Sequence, residues 1–182
     1  VRKGKSVKSL ERVSKNIRRG ERIFIGSGAS APQAIINCMI KYAHLFSDSE
    51  ICHIATFVDA PYVDEKYRPN FRHTAFYVSG NTRSAVNSGA ADYTPIHLSD
   101  LPRLLKSKRM KIGVCFIQVA RGRDENRFSL GLNADVIRTA MQNADYIVAQ
   151  VNDQMPFTYG ETLIHKDEID YLVEESIEIP KW

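Results

Sequence analysis

Cysteine is scarce in this 182-residue chain, and the three present (Cys38, Cys52 and Cys115) are odd in number and far apart. A disulfide framework is therefore not expected, and a reducing, cytoplasmic compartment is the simplest setting. No two of them form a C-x-x-C pair, which argues against a structural zinc site. No apolar run approaches the roughly 18 residues needed to cross a bilayer, so no membrane-spanning segment is expected. Internal repeats, low-complexity tracts and a linker are also lacking. What remains is 43% hydrophobic and 25% charged, which excludes collagen, coiled coil and a wholly disordered chain. The length suits one domain, 1–182.

Acidic residues are thin at the start of the chain. Residues 1–22 carry nine Lys/Arg against Glu11 and Glu21, a balance of +7, whereas the remainder is −3. The basic character is thus an N-terminal feature. Val7, Leu10, Val13 and Ile17 recur at helical spacing, so 1–20 reads as a basic amphipathic helix, formed over 7–19 and closed by Gly20. A solvated helix face is the plainer reading of that charge, and nucleic-acid binding the bolder one. Interleaved aromatics are missing from 1–22, so no nucleic-acid or membrane partner is expected. The chain opens on Val1 and stops at Trp182 after an acidic, strand-like stretch, and we read it as a piece of a longer protein.

Further along, short apolar runs alternate with helical patterns. Strands are expected at 22–25, 51–57, 75–78, 92–97, 112–119, 146–151 and 169–173. Between them, Pro32 opens a helix with Ala34, Ile35, Met39, Ile40 and Ala43 on its apolar face, and Thr82 to Asn87 makes a shorter one. Ser99 is expected to cap a helix carrying Leu101, Leu104 and Leu105, and Asn133 one that runs to Asn143. Strand–helix alternation of this kind predicts an α/β domain with an open, largely parallel sheet flanked by helices.

Ligands of such sheets bind beyond the carboxyl ends of the strands. That directs attention to 26–32, 58–70, 79–83, 120–131 and 152–160. Gly26-x-Gly28-x-x-Ala31 matches the dinucleotide fingerprint, and its N–H groups could receive a phosphate or a carbonyl oxygen. The acidic partner of a dehydrogenase is misplaced, however, because Asp48 and Glu50 precede the second strand and Asp59 lies too far along. Those glycines could equally serve close helix–sheet packing. Asn81-Thr82-Arg83 follows a strand and starts a helix, where Arg83 could hold a phosphate or carboxylate. Asn152 to Gly160 supplies polar amides on a fixed turn. The five histidines show no ligand spacing, so no metal is expected, and Cys115 sits mid-strand as a core residue.

Six stretches together resemble the acetyl-CoA hydrolase/transferase family, which includes the 4-hydroxybutyrate CoA-transferases. They are RIFIGSGASAP (Arg22–Pro32), HIATFVDAPY (His53–Tyr62), FRHTAFYVSGNTRSAVN (Phe71–Asn87), ADYTPIHLSDLPRLL (Ala91–Leu105), FSLGLNA (Phe128–Ala134) and VNDQMPFTYGETLIHKDEID (Val151–Asp170). Their order matches and they cover nearly the whole chain. The resemblance implies the N-terminal half of a protein built from two similar α/β halves. It implies transfer of coenzyme A, as substrate, between an acyl-CoA and a small carboxylate, or acetyl-CoA hydrolysis when water takes its place.

A family glutamate attacks the thioester, passing through an acyl-glutamyl anhydride to a glutamyl-CoA thioester. That glutamate belongs to the C-terminal half, so no catalytic residue and no covalently bound cofactor is expected here. Glu161 corresponds to a family position that is usually aspartate and is not the nucleophile. The implied cleft wall comprises Gly26, Ser27, Gly28, Ala29, Pro32, Asn81, Arg83, Gln154, Met155, Pro156 and Gly160. Its partners would be the C-terminal half, acyl-CoA and a carboxylate, with homo-oligomerisation left open. One departure is the arginine-rich 120–127 stretch, where the family commonly carries a neutral, proline-containing turn. A non-catalytic CoA- or nucleotide-binding regulatory module is the alternative.

Overall fold

The computed structural model describes residues 5–6, 11–14 and 17–181. In chain order the main elements are β1 (Lys5–Ser6), α1 (Glu11–Ser14), β2 (Arg22–Ile25), α2 (Gln33–Lys41), β3 (Ser49–His53), β4 (Phe71–Ala75), α3 (Gly80–Asn87) and β5 (Asp92–Tyr93). They continue with α4 (Leu101–Lys106), β6 (Ile112–Arg121), β7 (Arg127–Ser129), α5 (Ile137–Gln142), β8 (Ala144–Val151), β9 (Leu163–His165) and β10 (Tyr171–Glu174).

Eight strands form one sheet in the order β1-β10-β8-β6-β2-β3-β4-β5. Every neighbouring pair along this path is parallel. The short β7 leaves the path, pairing antiparallel with the end of β6 and with β9. The open, largely parallel sheet flanked by helices is therefore present.

Period-two alternation sorts the apolar side chains into two cores. Phe24, Cys115, Ile117 and Val119 face one layer with Leu101 and Leu105 of α4 and Ile137 and Ala140 of α5. Ile23, Ile25, Val114, Phe116 and Val148 face the other, with Val13 of α1 and Ile35, Ile36 and Met39 of α2. Burial on both faces explains why β6 reads as a continuous apolar run.

Several expected boundaries shift. The helix expected over 1–20 is interrupted: Lys5–Ser6 pairs beside Tyr171 and Leu172 as an edge strand, and helix is described only at Glu11–Ser14. Residues 1–4, 7–10 and 15–16 of that expectation lie outside the described residues. Gly20 does adopt φ +71° as the chain turns into β2.

The second and third strands start and end earlier than expected, at 49–53 and 71–75. Polar residues disguised them. Arg72 pairs with Asp92, and the Thr74 hydroxyl donates to Glu50 at 2.8 Å, so neither needs an apolar setting. The fourth strand shrinks to Asp92–Tyr93.

Ser99 lies inside a single 3-10 turn, Leu98–Asp100, and caps nothing through its side chain. Asn133 does not cap α5 either. Asp135 Oδ1 accepts the Ile137 N–H at 2.9 Å instead. The Asn133 amide is occupied elsewhere, its nitrogen turned to donate to Asp135 Oδ1 at 2.8 Å.

Candidate functional site

Parallel strands deliver their following loops to one side of the sheet, and β2, flanked by β6 and β3, places the glycine loop at the centre of that side. The loop is tied to both neighbours. Gly26 N–H donates to Phe116 O at 2.9 Å, and Gly28 N–H donates to Ala55 O at 2.8 Å. Two of the amides offered by the fingerprint are thus occupied within the protein. Among the described residues no acceptor lies on the N–H groups of Ser27 and Ala29. Gly28 needs its identity for conformation, at φ +62°. Gly26 needs it for space, because a Cβ there would stand 2.9 Å from the Asn133 amide and 3.3 Å from Ser30 O. Pro32, buried, is the cap residue from which α2 starts.

Beneath this loop lie three buried amides that the expected site omits: Gln118, Gln150 and Asn152. Gln118 projects toward the loop backbone, with its Nε2 3.5 Å from Ala31 O. Gln150 Oε1 accepts the Ala34 N–H in the first turn of α2 at 3.0 Å, and its Nε2 donates to Glu175 O. Asn152 Nδ2 donates to Gln118 Oε1 at 2.7 Å and to Ile177 O at 2.8 Å, while its Oδ1 accepts the Gln154 N–H at 2.9 Å. The glycine loop, the tail after β10 and the loop after β8 are therefore positioned by one network.

Exposed Asp135 stands beside the glycine loop. Surrounding protein displaces water and pushes its carboxyl pKa up, while the Ile137 N–H and the nearby Ser27 hydroxyl pull it down.

Of the remaining expected residues, Asn81 and Arg83 lie on one flank. Asn81 Nδ2 donates to Val58 O at 2.5 Å, which ties the start of α3 to the loop after β3. Arg83 is exposed, and its guanidinium has no partner among the described residues. Gln154, Met155, Pro156 and Gly160 lie on the other flank. Gln154 and Pro156 are exposed, but Met155 is buried against Gly131 and does not open onto solvent. Gly160 turns the loop at φ +87°. β4 and β8 are four strand spacings apart, about 19 Å, so a small carboxylate could not touch both flanks at once. An extended ligand could. Solvent-exposed apolar side chains ring this end of the sheet, with Phe57, Tyr77, Leu132 and Tyr159 each 42–81% exposed.

A family model for the acetyl-CoA hydrolase/transferase N-terminal domain matches residues 3–180. The chain belongs to this family. It is 36% identical over 176 residues to the 4-hydroxybutyrate coenzyme A transferase of Clostridium kluyveri, which covers 97% of this chain and 41% of that protein. It is 38% identical over 151 residues to the succinyl-CoA:acetate/propanoyl-CoA:succinate CoA transferase of Fasciola hepatica, covering 82% of this chain and 31% of that one. The crystal structure of 4-hydroxybutyrate CoA-transferase from Porphyromonas gingivalis superposes with a TM-score of 0.80 at 24% identity, over 97% of this chain and 41% of that chain. The chain thus spans less than half the length of these relatives.

Within this acetyl-CoA hydrolase/transferase domain, two cysteines and two histidines of the strands are packed into the interior. Cys52 and Cys115 are fully buried, and burial pushes both thiols up. His53 and His73 stack at 4.4 Å on neighbouring strands, and His53 Nε2 meets Tyr62 OH at 2.7 Å. Among the described residues no three metal-ligating side chains gather. The missed amides did leave a signal, a Gln or Asn embedded in apolar strands, as in Ile117-Gln118-Val119 and Ala149-Gln150-Val151-Asn152. Their meeting depends on β6 and β8 being neighbours, which no local pattern states.

Proposed function

We propose that this chain is the N-terminal half of an acyl-CoA:carboxylate CoA-transferase or acetyl-CoA hydrolase, and that it forms one wall of a cleft whose other wall carries the nucleophilic glutamate. The observation that carries the reading is the glycine loop, held rigidly at the centre of the carboxyl side of the sheet and ringed by exposed apolar side chains. A surface of that character is unusual for a face left in water, and it suits a second α/β half together with an extended acyl-CoA. Its relatives' length, more than twice the matched stretch, supports the same division.

In this reading a glutamate carboxylate of the other half attacks the thioester carbonyl and expels the CoA thiolate, leaving an acyl-glutamyl anhydride. The thiolate then attacks the glutamyl carbonyl, giving a glutamyl-CoA thioester and releasing the first carboxylate. The acceptor carboxylate next attacks this thioester, and the expelled thiolate takes the acceptor's acyl group from the resulting anhydride and frees the glutamate. In hydrolysis water attacks the thioester instead, and free CoA leaves with the glutamate restored. A carboxylate nucleophile suits the task because donor and acceptor are both carboxyl derivatives. The Ser27 and Ala29 N–H groups are placed to receive a carbonyl oxygen on which negative charge develops. The exposed Arg83 would hold an anionic part of the substrate, and Gln154 would contact it from the opposite flank. Three free cysteines fit a reducing, cytoplasmic compartment.

Exchange of labelled acetate into acetyl-CoA, followed by mass spectrometry, tests the reading. The intact protein should exchange, with a CoA adduct on a glutamate beyond residue 182. The folded 182-residue chain alone should not. Exchange by the chain alone would place the nucleophile here, with Glu161 the first residue to replace.

A further inference from the structure

Beside the candidate cleft, the turn after β6 and the loop after β8 enclose a cavity of about 470 Å3, within the range of small-molecule sites. Arg121, Arg123 and Arg127 line it with Asp124, Phe157 and Tyr159. Three cations thus face one carboxylate, and an aromatic pair completes the wall.

The three arginines are not equivalent. Arg121 is held by Glu174 at 2.5 Å and lies over the Phe128 ring at 5.3 Å, which makes it part of the scaffold. Arg127 touches Asp124 only loosely, at 3.6 Å, and its side chain is 68% exposed. The Arg123 guanidinium has no partner among the described residues. One unpartnered guanidinium and one held only by a long contact can therefore turn inward onto an anion. Opposite them, Phe157 and Tyr159 meet edge to face at 5.2 Å and 71°, with Tyr159 81% exposed. A large ring left this open offers a stacking face for a planar group.

The walls are preformed. Gly122 N–H donates to Arg127 O at 2.8 Å, Arg127 N–H to Asp124 O at 3.0 Å, and Lys166 N–H to Asn126 O at 2.8 Å. A Cβ at Gly122 would come within 2.8 Å of Arg127 O and 3.2 Å of the Phe157 ring, so only glycine lets the turn close against the aromatic wall.

We propose that this cavity binds a purine nucleoside phosphate, with the base against Phe157 and Tyr159 and the phosphates on Arg123 and Arg127. Neither half of the site suffices alone: arginines by themselves would suit any anion, and the aromatic pair any flat ring. Resting on the coenzyme A reading above, the inference assigns the cavity to the 3′-phosphoadenosine end of that substrate. The same loop that carries Phe157 and Tyr159 also carries Gln154 and Pro156 at the cleft, so a single extended molecule would pass from one to the other.

Titration calorimetry of the intact protein with adenosine 3′,5′-bisphosphate tests this. One site is expected, and Arg123→Ala and Tyr159→Ala should each weaken it by about tenfold, the scale of one charge-assisted contact or one stacked base. Both positions are exposed, so folding should be retained, and circular dichroism checks that. No binding, or binding that neither substitution changes, overturns the site. Pyrophosphate binding as tightly as the nucleotide overturns the role of the aromatic wall. In the acetate exchange assay the bisphosphate should compete with acetyl-CoA; Arg123-dependent binding without competition would overturn the assignment to coenzyme A. Arg123-dependent binding to an intact protein that exchanges no acetate would refute the transferase reading and leave the nucleotide site standing.

Discussion

Asn152 Nδ2 donates to Gln118 Oε1 at 2.7 Å, inside the sheet and away from water. This bond joins the ends of the two longest strands. Through the second acceptor of Asn152, Ile177 O, and the contact of Gln118 toward Ala31, it reaches the chain's tail on one side and the glycine loop on the other.

Removing one partner should cost more than removing both. Asn152→Ala leaves Gln118 Oε1 and Ile177 O unpaired in the interior and is expected to destabilise by about 2–3 kcal/mol. Gln118→Leu combined with Asn152→Leu should lose less than the sum of the single changes, by about 1 kcal/mol. Urea unfolding of the four proteins in this cycle reads the coupling. Additive losses would show that the amides act independently.

Glycine substitutions should separate space from conformation. Gly28→Ala meets only ordinary contact with the Phe57 ring at 3.6 Å, so its cost should be that of the left-handed backbone, about 1–2 kcal/mol. At Gly131 the backbone is also left-handed, φ +61°, and a Cβ would fall 2.3 Å from Met155 Sδ and 3.1 Å from Pro156 O. Gly131→Ala should therefore be the more damaging of the two and should displace the 154–156 loop. Denaturation midpoints rank the two, and equal losses would deny the contact with Met155 any weight.

Acid should unfold this domain through its buried histidines. Burial holds His53 well below the usual imidazole range and lowers His73 to about 4. The unfolded chain takes up these protons at an ordinary pKa of about 6.5, so protonation favours unfolding. Stability should be fully present above about pH 6.5 and fall progressively toward pH 4. His73→Phe should flatten that slope in a series of melting curves. An unchanged slope would assign the acid sensitivity to other groups.

Thiol reagents should distinguish the cysteines. Cys38 is partly exposed on α2, whereas Cys52 and Cys115 are buried with raised pKa. One equivalent of a disulfide reagent should react in the native protein, at Cys38, and the other two only in denaturant. Peptide mass mapping checks the site.

Replacement of the exposed cleft residues should alter transfer and leave stability nearly untouched. Arg83→Ala and Gln154→Ala in the intact protein are each expected to lower kcat/KM for acyl-CoA by about tenfold, with a melting temperature near that of the parent. Unchanged kinetics for both would remove these flanks from the cleft.

Sequence by itself determined the parallel α/β architecture, because runs such as Ile112–Val119 and Tyr146–Val151 can bury both faces only in the middle of a covered sheet. It also determined the family, through strings that stand in order along the chain, and the position of the glycine loop between a strand and a helix, through a pattern that is local; its central place in the sheet came from the strand order. The strand carrying Arg72, His73 and Thr74 starts earlier than its apolar pattern suggests, because its polar side chains are satisfied by Asp92, Ile51 and Glu50, partners 20 or more residues away. The strand order decided the rest. Only the neighbouring of β6 and β8 brings Gln118 to Asn152, and only the short hairpin of β6 with β7 sets Arg123 and Arg127 opposite Phe157 and Tyr159. Such contacts depend on which strands lie side by side, a choice made by the packing of the whole sheet that leaves no periodicity in the chain.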